Sequence, residues 1–130
     1  MIDSIFTKII SGEIPCHKIY EDHKTLAFLD VHPILPAHVL VVPKIQIEFL
    51  WDLPNEYYEA VMETSRKVAL RIREVRKEPY VHMGVVGTDV PHTHVHIIPF
   101  TNSSDLHVPQ VQNTDPDHET LAKIAASLAF

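Results

Sequence analysis

The chain has 130 residues, of which 45% are hydrophobic and 22% charged, and its formal net charge is −6 at pH 7. This length and composition predict one globular domain with its own hydrophobic core. The negative balance disfavours binding to a nucleic-acid backbone, because the chain has no basic cluster beyond the helical stretch RIREVRK. The single cysteine, Cys16, favours a reducing compartment such as the cytoplasm. The N-terminal MIDSIFTKIISGEIP has the pattern of neither a signal peptide nor a membrane span.

The first part of the chain predicts one short helix and three strands. Asp3 or Ser4 can cap a helix across DSIFTKIISG, and Gly12 lies where a helix end favours a left-handed residue. HKIY and TLAFLD are strand candidates on either side of a turn-like EDHK. HPILP then interrupts the chain with two prolines, and the β-branched run HVLVVP predicts a third strand.

The second part predicts one long helix, two strands and a final helix. The long helix runs from Pro54 to Lys77 and carries an apolar stripe at helical spacing. The residues of that stripe are Tyr57, Val61, Val68, Ile72 and Val75. YVHMGVV and HTHVHIIPF are predicted strands joined by GTDVP. Asp115 or Asp117 can cap a final helix from His118 to Leu128.

This order of elements predicts an α+β fold with a largely antiparallel sheet of about five strands. No internal repeat or linker divides the chain, so we expect a single domain over residues 1–130. Such a sheet has too few strands to be complete within one chain, and we therefore expect it to be continued across a homodimer.

Three histidines alternate in the segment PHTHVHIIPF. In a strand, His92, His94 and His96 would share one face, with Thr93 and Val95 on the other. They could be exposed or core histidines without a chemical task. They could also bind zinc, but ligand distances near 2 Å do not suit three side chains spread over about 13 Å of straight strand. No other histidine or carboxylate pair with ligand spacing lies near them in the sequence.

The third possible role of the three alternating histidines is phosphate chemistry. An imidazole that attacks phosphorus forms a covalent phosphohistidine and divides a difficult displacement into two steps. The attacking nitrogen must be neutral, and charged neighbours favour this state by lowering its pKa. Flanking imidazoles, when protonated, would stabilise charge on the phosphoryl oxygens. The scheme requires no metal.

HTHVHII resembles the His-x-His-x-His-x-x signature of the histidine-triad (HIT) family of nucleotidyl hydrolases and transferases. IFTKIISGEIPCHKIYEDHKTLAFLDVHPILPAHVLVVPK is similar to the first half of its Hint-like members. The resemblance covers about residues 5–100 and leaves residues 101–130 as a divergent tail with a short helix. It implies a HIT-like fold, a homodimer, no metal cofactor, and a purine nucleotide or nucleotide conjugate as the ligand.

The resemblance also implies residue roles. His94 would be the nucleophile, and His38 would be a fourth family histidine. His92 and His96 would flank the phosphate and fix the geometry of the attacking imidazole. Asp30 would accept hydrogen bonds from the ribose hydroxyls, although an aspartate here could equally stabilise the following turn. The positions that would sandwich the base could equally be plain core, and they are Phe6, Ile9, Phe28, Leu29 and Val31.

The chain departs from the Hint-like pattern just before the triad. Val85 and Val86 stand where an asparagine is usual, and Thr88 and Asp89 replace a Gln-Ser/Thr step that contacts the bridging atom and leaving group. Asp89 would bring a negative charge towards the phosphate. It would therefore point away, recognise a cationic leaving group such as an amine, or indicate a different substrate.

A second departure concerns metal. Some relatives hold structural zinc through two cysteines near the N-terminus and a histidine after the Pro-Lys step. Ser4, Thr7 and Gln46 occupy those positions here, so we expect the zinc site to be absent.

The resemblance, together with the row of histidines, implies a metal-independent hydrolase that cleaves at the α-phosphate of a nucleoside phosphoramidate or related conjugate. His96 stands where transferase relatives have glutamine, which favours water as the final acceptor. The alternatives are a nucleotide-binding or interaction protein with vestigial catalysis, and a dinucleoside-polyphosphate hydrolase. No nucleic-acid or membrane partner is expected.

Overall fold

A computed structural model of the chain describes residues 2–110 and 114–130. Within these ranges, five strands form one antiparallel sheet in the order β1-β2-β3-β5-β4. The strands are β1 (Lys18–Glu21), β2 (Thr25–Leu29), β3 (Val39–Pro43), β4 (Tyr80–Gly84) and β5 (Val95–Phe100). The predicted α+β class with about five antiparallel strands is confirmed.

The helices are α1 (Ile5–Ile10), α2 (Asn55–Val75) and α3 (His118–Leu128), with short 3-10 turns at Leu50–Asp52 and Ser103–His107. Ser4 caps α1, since its Oγ accepts a hydrogen bond from Thr7 N at 3.0 Å. Asp117 caps α3 through Thr120 N at 3.1 Å. None of the helices in the described part of the chain is long and apolar enough to cross a membrane.

The long helix α2 buries most of the predicted apolar stripe. Val61, Val68 and Ile72 are at most 1% exposed, and Tyr57 is partly buried against the same core. Val75 was wrongly included in the stripe, because it is the last residue of the helix and is 38% exposed.

The sheet is covered on both faces, which explains why β2 and β3 are apolar without alternation. One face packs against α2 and α3 through residues such as Ala27, Val41 and Val95. On the other face, Phe6 of α1 packs against a small cluster formed by Leu26, Phe28, Leu40 and Val42. Leu40 pairs with His96 in the register between β3 and β5, so the histidines lie on the α1 face.

The strand that carries the triad begins later than the sequence predicted. β5 starts at Val95, so His96 lies on the strand while His92 and His94 precede it. Thr93 explains the difference, because its N–H and hydroxyl both donate to the Ile47 carbonyl, at 2.7 and 2.8 Å, rather than to a strand partner. The expectation of a straight strand through all three histidines is therefore wrong, whereas their rings do share the α1 side, where Phe6 packs against His92 and His94 and His94 packs against His96. Similarly, β4 ends at Gly84, before the predicted YVHMGVV segment is complete.

Candidate active site

A cavity of about 270 Å³ opens on the α1 face of the sheet, beside the histidines. Its apolar walls are formed by Ile5, Phe6, Ile9, Pro15, Phe28, Leu29, Val31, Leu40 and Val90. Its remaining lining residues are Cys16, Asp30, His32, Asp89, His94, His96 and Gln110. Most of the residues implied by the resemblance therefore meet here, while His38, His92 and Thr88 do not line the cavity. Such a space, apolar with a few convergent polar groups, is typical of small-ligand sites.

The ring of His94 is held with one nitrogen available for chemistry. Its Nδ1 lies 2.8 Å from the carbonyl oxygen of His92. A carbonyl only accepts hydrogen bonds, so Nδ1 carries a proton, and in the neutral form of the ring the lone pair is therefore on Nε2. The Phe6 ring packs edge-on against the His94 ring, with centroids 5.0 Å apart. The hydrogen bond thus selects the tautomer of His94 whose Nε2 carries the lone pair, and the residue lines the cavity.

His92 is fully buried and is held at both ring nitrogens. Its Nε2 lies 2.9 Å from the Pro43 carbonyl oxygen, and its Nδ1 lies 2.8 Å from Ser4 Oγ. The proton is therefore on Nε2, and Nδ1 accepts from the Ser4 hydroxyl. Burial is the main cause that lowers the pKa of His92. The carbonyl of His92 accepts from His94 Nδ1, which is consistent with the predicted part of His92 in fixing the geometry of the neighbouring imidazole.

Ser4, Thr7 and Gln46 form a hydrogen-bonded cluster behind His92. The Thr7 hydroxyl donates to Gln46 Oε1 at 2.7 Å, and Ser4 N donates to the same oxygen at 2.8 Å. Gln46 Nε2 in turn donates to the carbonyl oxygen of Ile2 at 2.8 Å. Hydroxyl and amide groups are not the thiolate and imidazole ligands that structural zinc uses, and these ones already pair with each other. The residues present therefore do not fit a zinc ion.

We expect Ser4→Ala to lower the free energy of unfolding by about 2 kcal/mol. The change removes both the donor to the buried His92 Nδ1 and the cap of α1. Urea denaturation would measure it. The matched control is Ser11→Ala at the other end of α1, where an exposed hydroxyl bonds Lys8 O and the loss should stay below about 0.5 kcal/mol. Equal losses in the two variants would contradict the supporting role of Ser4.

His38 and His96 form a second oriented pair. The Ile34 N–H donates to His38 Nδ1 at 3.1 Å, so neutral His38 carries its proton on Nε2. This Nε2–H donates to His96 Nδ1 at 2.9 Å, which leaves the His96 proton on Nε2. Burial, followed by the neighbouring His38, lowers the pKa of His96 to about 4. In the free protein His96 is thus a neutral hydrogen-bond donor, whereas the sequence suggested protonated flanking imidazoles.

The Asp30 carboxylate is held by donors on both oxygens. Its Oδ1 accepts from His32 N and its Oδ2 from Gln110 Nε2, each at 2.9 Å. Oδ2 also lies 3.7 Å from His38 Nε2. Ligand atoms of Asp30, His38 and His96 all lie within 4.8 Å of one another, a grouping that could hold a metal ion. Sequence spacing could not predict this grouping, because Asp30 and His38 are far from the triad along the chain. A metal would have to replace the hydrogen bond that already joins the two imidazoles.

The residues that depart from the family pattern lie at the cavity mouth or outside it. Asp89 is exposed and lines the cavity, whereas Thr88 is exposed and does not. Val85 and Val86 are 41% and 69% exposed in the loop before Gly87. Of the substituted positions, Asp89 is the one that borders the cavity.

Three polar lining residues, Cys16, His32 and Gln110, were missed from the sequence. Cys16 follows α1, and burial is the main cause that raises the pKa of its thiol. Gln110 comes from the tail beyond β5 and reaches back to Asp30, 80 positions earlier. None of the three has a local pattern that would have identified it.

Comparison with known proteins identifies the family of the chain. The model of the HIT domain matches residues 11–103. The protein named Protein hit from Bacillus subtilis is 36% identical over 96% of this chain and 91% of its own length. An adenosine 5′-monophosphoramidase of Candida albicans is 36% identical over 73% of this chain and 68% of its own length.

Solved structures give the same result. A Hit-like protein from Bartonella henselae, crystallised with an unknown ligand, superposes with a TM-score of 0.84 at 28% identity, covering 97% of this chain and 93% of that one. A zinc-bound histidine triad protein from Mycobacterium smegmatis gives a TM-score of 0.78 at 27% identity, over 95% and 91% of the two chains. The fold and its row of histidines define a histidine-triad protein. The chain belongs to the HIT family.

Proposed function

We propose that this protein is a hydrolase that transfers a nucleotidyl group to His94 and then to water. The observation that carries the proposal is the bond from His94 Nδ1–H to the His92 carbonyl, because it leaves Nε2 as a nucleophile beside the cavity. Nε2 attacks the α-phosphorus, and the bond to the leaving group breaks; the leaving group keeps the electron pair and takes up a proton from solvent. Water then attacks phosphorus and gives a proton to solvent, the bond to Nε2 breaks with its electron pair returning to the ring, and a nucleoside monophosphate is released.

His96 supports this chemistry as a neutral donor. Its Nε2 proton is free to bond a phosphoryl oxygen, because Nδ1 is occupied by His38. The apolar walls around Phe6 and Phe28 would bind a purine through aromatic stacking and burial of its apolar surface. Such contacts discriminate little between bases. None of the steps requires a metal ion.

The charges around the cavity favour an amine leaving group. The lining includes the carboxylates of Asp30 and Asp89 and, among the described residues, neither lysine nor arginine. Such a setting repels a polyphosphate chain and attracts a cation. We therefore propose a nucleoside phosphoramidate rather than a dinucleoside polyphosphate as the substrate. The phosphoramidase relative supports this choice.

Single-turnover mixing with an adenosine phosphoramidate tests the proposal. An alkaline quench followed by peptide mass spectrometry should find adenylate on His94, and the adduct should be lost in acid. Steady-state assays should then release adenosine monophosphate. Tight nucleotide binding with neither adduct nor product would instead identify a binding or interaction protein.

We expect Asp30→Ala to weaken binding of adenosine monophosphate more than binding of 2′-deoxyadenosine monophosphate. The carboxylate is an acceptor suited to a vicinal diol, and a lost hydrogen bond to a charged group costs about tenfold or more in affinity. Titration calorimetry of both ligands measures the ratio. If both affinities fall equally, Asp30 does not contact the ribose.

We further propose a cytoplasmic homodimer. Strand β4 lies at the edge of the sheet, and its Tyr80 and Met83 are 58% and 43% exposed, so this edge offers apolar surface and unpaired backbone groups to a second copy. Cys16 is a free thiol, as a reducing compartment favours. Sedimentation equilibrium would show a species of twice the chain mass, and a monomer at all concentrations would refute the dimer.

A further inference from the structure

The tail that follows the HIT domain contributes a side chain to the cavity. The matched domain ends at residue 103, and the chain then makes a short 3-10 turn at Ser103–His107. Beyond it, Gln110 places its amide nitrogen 2.9 Å from Asp30 Oδ2 and 2.6 Å from the His32 carbonyl oxygen. The two hydrogens of one amide group therefore join the carboxylate to the backbone of the loop that carries it.

These bonds fix a carboxylate that would otherwise be free to rotate. The last torsion of an aspartate is broad and roughly two-fold, so one hydrogen bond from His32 N to Oδ1 leaves the plane poorly defined. The bond from Gln110 to Oδ2 supplies a second point of attachment. Each carboxylate oxygen has about two lone-pair sites, so each keeps one for a further donor. Two remaining acceptors at a fixed spacing match the two hydroxyls of a ribose.

The rest of the tail is anchored at several points on the domain. The Thr114 carbonyl accepts from His32 Nε2 at 3.1 Å, which attaches a second tail residue to the same loop. In α3, Leu121 and Leu128 are buried in the main core. The chain ends on β1, where Phe130 N donates to the Ile19 carbonyl at 3.1 Å. Gln110 thus belongs to a segment whose far end is packed into the fold.

We propose that Gln110 is a positioning residue that gives the cavity its preference for ribose over deoxyribose. This inference rests on the proposed function, because it assigns Gln110 to the carboxylate that would hold the ribose. Gln110 lies beyond the matched domain, so this role would make the tail part of the binding site. Gln110 acts through Asp30 and the His32 backbone, so its loss alters recognition of the sugar and leaves the reacting histidines in place.

Binding and kinetic measurements on the full chain test this role. Gln110→Leu keeps the approximate size without the donors, and Gln110→Glu keeps the shape but sets a second carboxylate against Asp30. Both should lower the preference for adenosine monophosphate over its 2′-deoxy form by about tenfold. With the phosphoramidate substrate KM should rise, while kcat should change less than about threefold. The matched control Asn102→Leu, an exposed amide before the same 3-10 turn, should change neither value.

The outcomes distinguish the positioning role of Gln110 from the proposed contact between Asp30 and the ribose. If Asp30→Ala abolishes the ribose preference and both Gln110 variants retain it, Gln110 has no positioning role. If the Gln110 variants bind adenosine monophosphate more tightly, the side chain competes with the ribose, and the inference is also overturned. If Asp30→Ala itself leaves the preference intact, Asp30 does not contact the ribose, and the role of Gln110 is refuted as well.

Discussion

His94→Asn should reduce hydrolysis of an adenosine phosphoramidate by about a thousandfold or more, because it removes the proposed nucleophile. An amide nitrogen has no lone pair available for attack, so no nucleotidyl intermediate can form on this residue. The affinity for adenosine monophosphate should stay within about tenfold of the unaltered protein, since the apolar walls and Asp30 are untouched. Stopped-flow or quenched-flow turnover and calorimetric titration would measure the two quantities.

The asparagine variant also separates chemistry from folding. Asparagine is polar and small enough to replace an imidazole that is only 4% exposed without creating a charge. His107→Asn, on an exposed residue of the tail, should leave turnover unchanged and provides the control. Turnover that survives in His94→Asn at more than about a tenth of the normal rate would exclude His94 as the nucleophile.

Local sequence patterns predicted most of the fold. The β-branched run HVLVVP and the helical stripe of α2 each bury an apolar face, and both elements occur within a few residues of their predicted bounds. The errors lie at element ends. β5 begins at Val95 because Thr93 bonds to Ile47, a contact across 46 positions that no local period reveals.

The site could be predicted in its residue types but not in its hydrogen bonds. Alternation identified His92, His94 and His96 but not the partners of their rings. The ring of His92 bonds the Pro43 carbonyl and the Ser4 hydroxyl, and the His92 carbonyl accepts from His94. The tautomers follow from these partners, and Gln110 enters the cavity through a long-range contact without any motif. Such details depend on tertiary packing and cannot be read from spacing.

The buried histidines should also make the protein less stable in mild acid. The pKa of His96 is lowered from 6.5 to about 4 in the folded protein, first by burial and then by His38 and His94, against an opposing effect of Asp30. Between these two values the unfolded chain binds a proton that the folded chain does not, so the free energy of unfolding falls as pH decreases. The full contribution is present above pH 6.5 and is lost as pH falls towards 4. Burial also lowers the pKa of His38 and His92, which adds to the effect in the same direction.

We expect His96 alone to account for a loss of roughly 1–2 kcal/mol between pH 7.5 and pH 5, after allowance for its partial contact with solvent. Urea denaturation at the two pH values measures the difference for each variant. His96→Asn should reduce that difference by this amount, whatever its effect on stability at pH 7.5, whereas His107→Asn should leave the difference unchanged. A difference that is the same with and without His96 would mean that folding does not lower the pKa of its imidazole, which contradicts this prediction. A difference that becomes larger in His96→Asn would mean that folding raises this pKa, so that a cation rather than a neutral Nε2–H donor would face the phosphate.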